Sequence, residues 1–155
     1  MGGLGEQITK CLYTKRNIRI FSEIAVESMI PLIESGAATS LTCCGCFGSS
    51  ELYKFLGANK KATMKNIWDM LDPCAIGQQD NLVAINSTFM VDLTGQACSE
   101  SQGINQYSSV GGAFDYLYGA IRSKGGRSIY ACALHIRIPK EIVTLILLHG
   151  YPKRA

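Results

Sequence analysis

Short apolar segments with the pattern of strands alternate with segments of helical periodicity along this chain. In residues 17–21, Ile18 and Ile20 share one face, because side chains alternate between the two faces of a strand. Residues 113–122 instead repeat apolar side chains every three or four positions, which is typical of an amphipathic helix. The predicted apolar face of this helix consists of Phe114, Leu117, Tyr118 and Ile121. Strands that alternate with helices in one chain predict a layered α/β fold.

The other predicted elements follow from the same two periods and from residues that start or stop helices. Ser28 and Ser49 are predicted helix caps, Gly57 is a predicted helix stop, and residues 59–63 are predicted to form a loop. The strand at residues 82–85 is predicted to be buried. The remaining predicted strands span residues 37–47, 89–93 and 128–134, and the remaining predicted helices lie within residues 2–12, 28–36 and 49–57.

Length, composition and charge exclude several classes of protein. The 155 residues match one domain of roughly 100–200 residues. Apolar residues make up 47% of the chain and charged residues 17%, which excludes a disordered chain. The net charge is +3 and the basic residues form no dense stripe, so we expect no nucleic-acid partner. The longest apolar run, residues 142–148, falls well short of the roughly 18 residues of a membrane span, so we expect no membrane partner.

The cysteines match neither a disulfide framework nor a zinc site. There are seven, an odd number, and most have apolar or small neighbours, which favours free thiols in a reducing, cytoplasmic compartment. Cys43, Cys44 and Cys46 form a C-C-x-C cluster without a second pair, and His135 and His149 lie far along the chain. Structural zinc sites need two further ligands beside such a pair. We therefore predict no metal site and interpret the cluster as part of a strand.

Glu23 and the pair Gly111-Gly112 are the residues best placed for chemistry. Glu23 directly follows the first predicted strand, and ligand crevices of open α/β sheets lie at the carboxyl ends of strands. Its carboxylate is a candidate nucleophile, and the alternative is a surface glutamate that caps the next helix. Gly111-Gly112 opens a predicted helix, whose backbone N–H groups would hold a phosphate or an oxyanion. The alternative there is a plain tight turn.

Six blocks of sequence follow one another in an order and spacing specific to one family. They are R-I-F-S-E at residues 19–23, F-G-S-S-E-L-Y-K-F-L at 47–56, Q-D-N-L-V-A-I-N-S at 79–87, V-D-L-T-G-Q at 91–96, Y-S-S-V-G-G-A-F-D at 107–115 and S-K-G-G-R-S at 123–128. In these blocks the chain resembles the C-terminal domain of the acetyl-CoA hydrolase/transferase family, particularly its 4-hydroxybutyrate and butyrate:acetate CoA-transferase branch. The resemblance implies a CoA-transferase-like α/β fold with a mixed, mostly parallel sheet flanked by helices.

The resemblance implies ping-pong transfer of CoA between a short-chain acyl-CoA and a carboxylic acid such as acetate. A glutamate attacks the thioester and forms an acyl-glutamyl anhydride. CoA then attacks the anhydride to give a glutamyl-CoA thioester, and a second acid reverses the sequence. By motif, this glutamate is Glu23. Because a carboxylate is a weak nucleophile, held geometry and an oxyanion site must lower the barrier.

The resemblance also assigns residues around the nucleophile. One oxyanion donor is the backbone amide of Gly112, beside Gly111, and the other comes from the glycine turn at residues 1–3. The resemblance further implies Gly111, Gly112 and Lys124 on the CoA side of the site. CoA and acyl-CoA are then substrates, and no bound cofactor is expected.

The chain departs from the family pattern in three ways. First, the sequence does not contain the family's related N-terminal domain, which we therefore expect as a partner. A homo-oligomer is left open. Leu71 precedes Asp72-Pro73, where the family often has an asparagine that contacts the catalytic glutamate. The pattern stops after Ala133, so we divide the chain into a partial domain at residues 1–133 and an atypical tail at residues 134–155. The family would continue with Thr-Asp-Ser-Lys-Gly-Asn, and codon choices exist for residues 134–147 under which another reading frame spells this segment and its continuation. Our hypothesis is that the tail is frame-shifted sequence.

Three functions remain open from the sequence. The first is a CoA-transferase, the second an acyl-CoA hydrolase in which water takes the acyl group, and the third a catalytically inactive fragment of such an enzyme. The sequence does not separate the first two. Three departures favour the third for the isolated chain. They are Leu71, the absent N-terminal domain, which supplies much of the cleft in the family, and the first oxyanion donor, which falls at the initiator Met, where a free amine would replace the peptide amide.

Overall fold

The fold is α/β, as the sequence predicts. The structure, a computed structural model, describes residues 3–138 and 141–151. The chain divides into two compact units, Met1–Met70 and Leu71–Ala155. Each unit contains helices and a three-stranded sheet, so the predicted, mostly parallel sheet is divided between the units.

The first unit is built on parallel strands. Its helices are α1 (Gly3–Cys11), α2 (Ile30–Glu34), α3 (Ser50–Ala58) and α4 (Ile67–Met70), and its strands are β1 (Ile18–Phe21), β2 (Ile24–Ala25), β3 (Ala38–Cys43), β4 (Gly45–Cys46) and β5 (Ala62–Met64). Strand β3 lies between β1 and β5 and is parallel to both. The short strands β2 and β4 form a second parallel pair.

The core of the first unit lies against the central strand β3. Leu41 and Cys43 of this strand are buried, and Leu32 of α2 and Leu52 of α3 are fully buried in the same cluster. Burying one leucine side chain contributes about 1.5–3 kcal/mol. Gly36, with φ of +74°, turns the chain from α2 toward β3, a conformation that favours glycine. These contacts fix the sheet whose edge strand β1 leads into Glu23.

The second unit combines one parallel and several antiparallel strand pairs. Its helices are α5 (Pro73–Gly77) and α6 (Ala113–Arg122), and its strands are β6 (Val83–Ser87), β7 (Met90–Val91), β8 (Ala97–Cys98), β9 (Ser101–Gln102), β10 (Asn105–Gln106), β11 (Arg127–Ile138) and β12 (Glu141–Tyr151). Strand β11 pairs in parallel with β6 and antiparallel with β12. The pairs β7–β8 and β9–β10 are short and antiparallel.

Helix α6 has the predicted bounds but buries a different face. Its buried residues are Tyr116, Leu117, Gly119 and Ala120. Phe114 and Tyr118, predicted to be buried, are 65% and 44% exposed. A Cβ atom at Gly119 would collide with the Ile76 side chain of α5. The small residue therefore sets the packing face, because it lets the two helices approach closely.

Three predicted boundaries in the first unit are wrong. Ser28 lies inside the 3₁₀ turn Glu27–Met29 and does not cap α2, where Pro31 occupies the first turn. Gly57 lies inside α3, which continues to Ala58. Residues 59–63 do not form a loop throughout, because Ala62 begins β5 and pairs with Leu41.

Two strand predictions in the second unit also need correction. The strand predicted at residues 89–93 is shortened to β7, because the Asp92 carboxylate accepts hydrogen bonds from the amides of Thr94 and Gln96 and draws the chain into a turn. Strand β6 is not buried on both faces, since Val83 is 51% exposed. It lies at the edge of its sheet.

The last strand, β12, was not predicted. It falls in the tail at residues 134–155 and pairs with β11 from Tyr151 opposite Ser128 to Glu141 opposite Ile138. Among residues 3–138 and 141–151, no helix has both the length and the apolar character needed to cross a membrane.

Candidate active site

Glu23 lies at the carboxyl end of β1, where the sequence predicts it. Ser22 and Glu23 form the interruption between β1 and β2, and the Glu23 residue is half-buried. The Ser22 amide donates a hydrogen bond to the Thr42 carbonyl of β3 at 3.0 Å. The Ser22 hydroxyl donates to the carbonyl of Ile24 at 2.9 Å. The backbone on both sides of the candidate nucleophile is therefore held in place.

The carbonyl of Glu23 accepts hydrogen bonds from the interruption between β3 and β4. The amides of Cys44 and Gly45 donate to it at 3.1 and 3.0 Å. The thiol of Cys44 donates to the same oxygen, with an Sγ···O distance of 3.2 Å. The Glu23–Ile24 peptide is thus anchored to the C-C-x-C segment.

Two thiols of this segment, those of Cys43 and Cys44, have a raised pKa, which favours their neutral form. Burial, followed by the negative charge of Glu23, raises the pKa of the Cys44 thiol. Burial, followed by the nearby Cys46 and Cys44, raises the pKa of Cys43. A neutral thiol is a poor nucleophile and metal ligand. Within the described part of the chain, no group of three or more His, Cys, Asp or Glu side chains is arranged to hold a metal ion.

Gly111 and Gly112 precede α6, as the sequence predicts. Gly112 is buried at the N-cap position of the helix, whereas Gly111 is exposed. The carbonyl of Gly112 accepts the Tyr116 amide at 3.0 Å, which starts the helix. Gly112 itself has no side chain with which to cap this end of α6. The N-terminal end of a ten-residue helix favours negative charge, so this segment has the electrostatics that an oxyanion requires.

Lys124 lies just past the opposite end of α6. Ten residues of helix separate it from Gly112, a rise of about 15 Å. The structure therefore does not bring Lys124 close to the glycine pair along the helix. The backbone carbonyl of Lys124 accepts the Asn81 amide at 2.8 Å.

The predicted site residues fall in different parts of the chain. Glu23 belongs to the first unit, and Gly111, Gly112 and Lys124 belong to the second. The other predicted oxyanion donor falls on residues 1–3, of which Met1 and Gly2 lie outside the described residues. The catalytic roles assigned by motif stay predictions.

Leu71 precedes a well-formed helix start. The Asp72 carboxylate accepts the Cys74 amide at 2.9 Å and caps α5, whose first residue is Pro73. Pro at the first helical position removes an N–H that has no partner in the helix. The Asp-Pro pair therefore has a local structural role, independent of the residue before it.

Two of the six sequence blocks have a structural role that the sequence patterns did not predict. Ser123, fully buried, donates a hydrogen bond to the Gln79 carbonyl at 2.6 Å and accepts one from the Leu82 amide at 3.2 Å. Gly125 has φ of +74°, and a Cβ atom there would collide with the side chain of Asn81. The S-K-G-G-R-S and Q-D-N-L blocks thus contact each other through these hydrogen bonds and this close approach.

A shallow groove of ≈ 400 Å³ lies between α5 and α6. Its lining residues are Cys74, Gly77, Gln78 and Arg122. None of the predicted site residues lines it. We therefore assign it no part in the chemistry.

The chain belongs to the acetyl-CoA hydrolase/transferase family. The model of the family's C-terminal domain matches residues 48–146, which is more than half of the chain. This result confirms the family that the sequence blocks indicate.

Similar proteins are CoA transferases. The chain is 35% identical over 141 residues to succinyl-CoA:cyclohexane-1-carboxylate CoA transferase of Geobacter metallireducens, covering 85% of this chain and 32% of that protein. It is 33% identical to 4-hydroxybutyrate coenzyme A transferase of Clostridium kluyveri, covering 84% of this chain and 33% of that protein. The chain therefore spans about a third of the length of these relatives.

A solved structure shows the same fold. RipA from Yersinia pestis superposes with a TM-score of 0.77 and 32% sequence identity, over 84% of this chain and 32% of RipA.

Proposed function

We propose that this domain takes part in CoA transfer between a short-chain acyl-CoA and a carboxylic acid such as acetate, with Glu23 as the nucleophile. The observation that carries the proposal is the position of Glu23, anchored at the carboxyl end of β1 in a chain that belongs to the acetyl-CoA hydrolase/transferase family. The named relatives are CoA transferases, which supports the reaction class.

The proposed reaction has balanced steps. A carboxylate oxygen of Glu23 attacks the thioester carbonyl, the C–S bond breaks, and CoA leaves as a thiolate. The thiolate then attacks the side-chain carbonyl of Glu23 in the acyl-glutamyl anhydride and releases the first acid as a carboxylate. A second carboxylate attacks the glutamyl-CoA thioester, the C–S bond breaks, and CoA leaves as a thiolate, which gives a new acyl-glutamyl anhydride. The CoA thiolate finally attacks the acyl carbonyl of this anhydride, forms the new acyl-CoA and releases Glu23 as a carboxylate.

Each tetrahedral intermediate of these steps carries an oxyanion. In the proposal, the backbone at Gly112, supported by the adjoining Gly111, stabilises it at the positive end of the α6 dipole. Preorganised donors of this kind are typically worth about 10²–10³ in rate. Lys124 is proposed on the CoA side, where its cation would favour a phosphate. CoA acts throughout as a substrate.

The proposed setting follows the family. The related N-terminal domain of CoA transferases is the proposed partner of this chain, and a homo-oligomer is a further proposed assembly. All seven cysteines are free in the structure, which supports a reducing, cytoplasmic compartment.

Mass spectrometry tests the nucleophile directly. The purified chain is incubated with acetyl-CoA, digested and searched for CoA on the peptide that contains Glu23. We expect the adduct in the wild-type chain and in Glu34→Gln, a matched change of an exposed glutamate in the same unit. Glu23→Gln keeps the shape of the side chain but removes the nucleophile, so it should carry no adduct. Absence of the adduct from the wild-type chain contradicts catalysis by this chain alone.

A label-exchange assay tests the acceptor. With labelled acetate and unlabelled acetyl-CoA, CoA transfer moves the label into acetyl-CoA and conserves the thioester. Hydrolysis instead consumes the thioester without incorporating the label. We expect incorporation that depends on Glu23, and net loss of thioester without incorporation contradicts the transferase.

A further inference from the structure

The backbone carbonyl of Glu23 is bonded more heavily than an ordinary strand carbonyl. Three donors converge on it: the Cys44 amide at 3.1 Å, the Gly45 amide at 3.0 Å and the Cys44 thiol at 3.2 Å. A carbonyl oxygen has two lone pairs, so the two amides already satisfy it and the thiol adds a third contact. This peptide group has little freedom to rotate.

Cys44 owes this position to an interruption in the strand. β3 ends at Cys43 and β4 begins at Gly45, so Cys44 itself belongs to neither strand. Strand β4 pairs with β2, with Gly45 opposite Ile24. The interruption between β3 and β4 therefore lies directly against the interruption that contains Glu23.

The charge of Glu23 also acts on the Cys44 thiol. After burial, the charge of Glu23 is the second cause that raises the pKa of the Cys44 thiol. The other titratable neighbours are the thiols of Cys43 and Cys46, which interact with each other. Cys44 thus donates hydrogen bonds to the backbone of Glu23 and interacts electrostatically with the charge of its side chain.

We infer that Cys44 is a positioning residue for Glu23: its amide and thiol, together with the Gly45 amide, fix the peptide that sets the direction of the Glu23 side chain. The role assigned to this positioning rests on the proposed function, whereas the contacts themselves do not. A held carboxylate reaches the thioester in an attacking geometry more often, and small displacements of a reacting group are costly in rate.

The neighbouring cysteines provide a matched control. Cys43 is fully buried in the core of the first unit, and Cys46 packs partly buried against the same core. The thiol that donates to the backbone carbonyl of Glu23 is that of Cys44. Cys46→Ala therefore removes a thiol of the same segment while leaving the contacts of Cys44 intact.

Site-resolved alkylation tests the contact without requiring turnover. Wild-type chain and Glu23→Gln are treated with iodoacetamide over a range of pH, and modification of Cys44 is followed by mass spectrometry. Loss of the carboxylate charge should lower the pKa of the Cys44 thiol, so its alkylation at mildly alkaline pH should rise severalfold. Exposed Cys74, in the other unit, should react equally in both chains. An unchanged profile for Cys44 contradicts the interaction between its thiol and the charge of Glu23.

The rate of CoA adduct formation on Glu23 tests the positioning itself. For Cys44→Ala we expect a drop of about three- to tenfold in the rate constant, the worth of one neutral hydrogen bond, with the half-saturating acetyl-CoA concentration unchanged. Cys44→Ser keeps a hydroxyl donor and should restore most of the rate, and Cys46→Ala should match the wild type. Circular dichroism checks that each variant is folded.

The adduct rate and the alkylation profile together distinguish the positioning role of Cys44 from the proposed function. Equal rates in Cys44→Ala and the wild type, or equal losses in Cys44→Ala and Cys46→Ala, contradict a positioning role. A wild-type chain that forms no adduct refutes the proposed function of the isolated chain, whereas the alkylation profiles still confirm or contradict the interaction between the Cys44 thiol and the Glu23 side chain.

Discussion

Glu27 joins two segments that lie 22 positions apart in the chain. Its carboxylate accepts a hydrogen bond from the amide of Ser49, the N-cap residue of α3. A Cβ atom at Gly48 would lie 2.8 Å from this carboxylate, so the glycine leaves room for it. The hydrogen bond from the Ser49 amide is the main reason why the pKa of Glu27 lies below its usual value. The ionised carboxylate is therefore the form that stabilises the fold.

Glu27→Gln should lower the stability of the chain in a pH-dependent way. Because the pKa of Glu27 is lowered in the folded state, its contribution is complete above the usual glutamate pKa of about 4.3 and is lost as the pH falls through the lowered value. Urea denaturation followed by circular dichroism should show the largest difference between variant and wild type at neutral pH and a shrinking difference in acid.

Gly48→Ala provides the control for this prediction. Its methyl group displaces the Glu27 carboxylate, so the same stabilisation is lost, and the double variant should lose little more than either single variant. A difference between Glu27→Gln and wild type that stays constant from neutral to acidic pH contradicts the assigned role.

Helix α6 shows which parts of an element the sequence determines. Its bounds were predicted because Gly111-Gly112 and Gly125-Gly126 punctuate a helical period. Its buried face was not, because Gly119 has no apolar side chain to contribute to the pattern. This face packs against α5 because Ile76 approaches Gly119 closely, and the sequence of α6 alone does not contain this information.

The candidate site also has one part that the sequence predicts and one part that it does not. Glu23 is predictable because a strand pattern places it at the strand's carboxyl end and a motif matches it. Its anchor to Cys44 is not, since the two residues are 21 positions apart and the bonds come mainly from backbone amides. Ser49 was a predictable cap because its hydroxyl contacts the nearby Glu51 amide.

Gly119→Ala should destabilise the packing of α5 against α6. The added methyl group would collide with Ile76 and lie 3.2 Å from the Pro73 carbonyl. Overpacking of this kind costs about 1–3 kcal/mol, measured as a loss in the free energy of unfolding. Gly57→Ala is the matched control, because a Cβ atom there meets nothing within 4 Å. That change should stabilise α3 by about 0.5–1 kcal/mol.

A double variant decides whether the Gly119 effect comes from the collision. Ile76→Ala alone creates a cavity and should cost about 2–5 kcal/mol. Together with Gly119→Ala, part of that cavity is filled, so the combined loss should be smaller than the sum of the single losses. Additive losses would place the cause elsewhere in the helix.

The whole molecule joins two units, and the proposed chemistry draws on both. The nucleophile segment lies in the unit Met1–Met70, and the proposed oxyanion segment lies in Leu71–Ala155. The chain spans about a third of the length of the CoA transferases that it matches. The adduct test on Glu23 is therefore also a test of whether these two units alone suffice for the first half of the reaction.

The tail at residues 134–155 raises the last question at this scale. By sequence, the last motif block of the family ends at residue 128 and the resemblance stops after Ala133, so the hydrophobic segment 142–148 lies beyond it. The match to the family model nevertheless extends to residue 146. Strand β12 within the tail pairs with β11 along its whole length. A frame-shifted origin and a genuine final strand make opposite predictions about the underlying codons.

We predict that an alternative reading frame of the gene, entered at codon 134, spells the Thr-Asp-Ser-Lys-Gly-Asn continuation of the family. The physical reason is that a shifted frame preserves nucleotides but randomises side-chain chemistry, so the encoded tail would carry no selected pattern. Nucleotide sequencing across codons 130–150 checks this. Alternative frames that hold stop codons, or that do not resume the family pattern, contradict the prediction and make β12 a genuine part of the second unit.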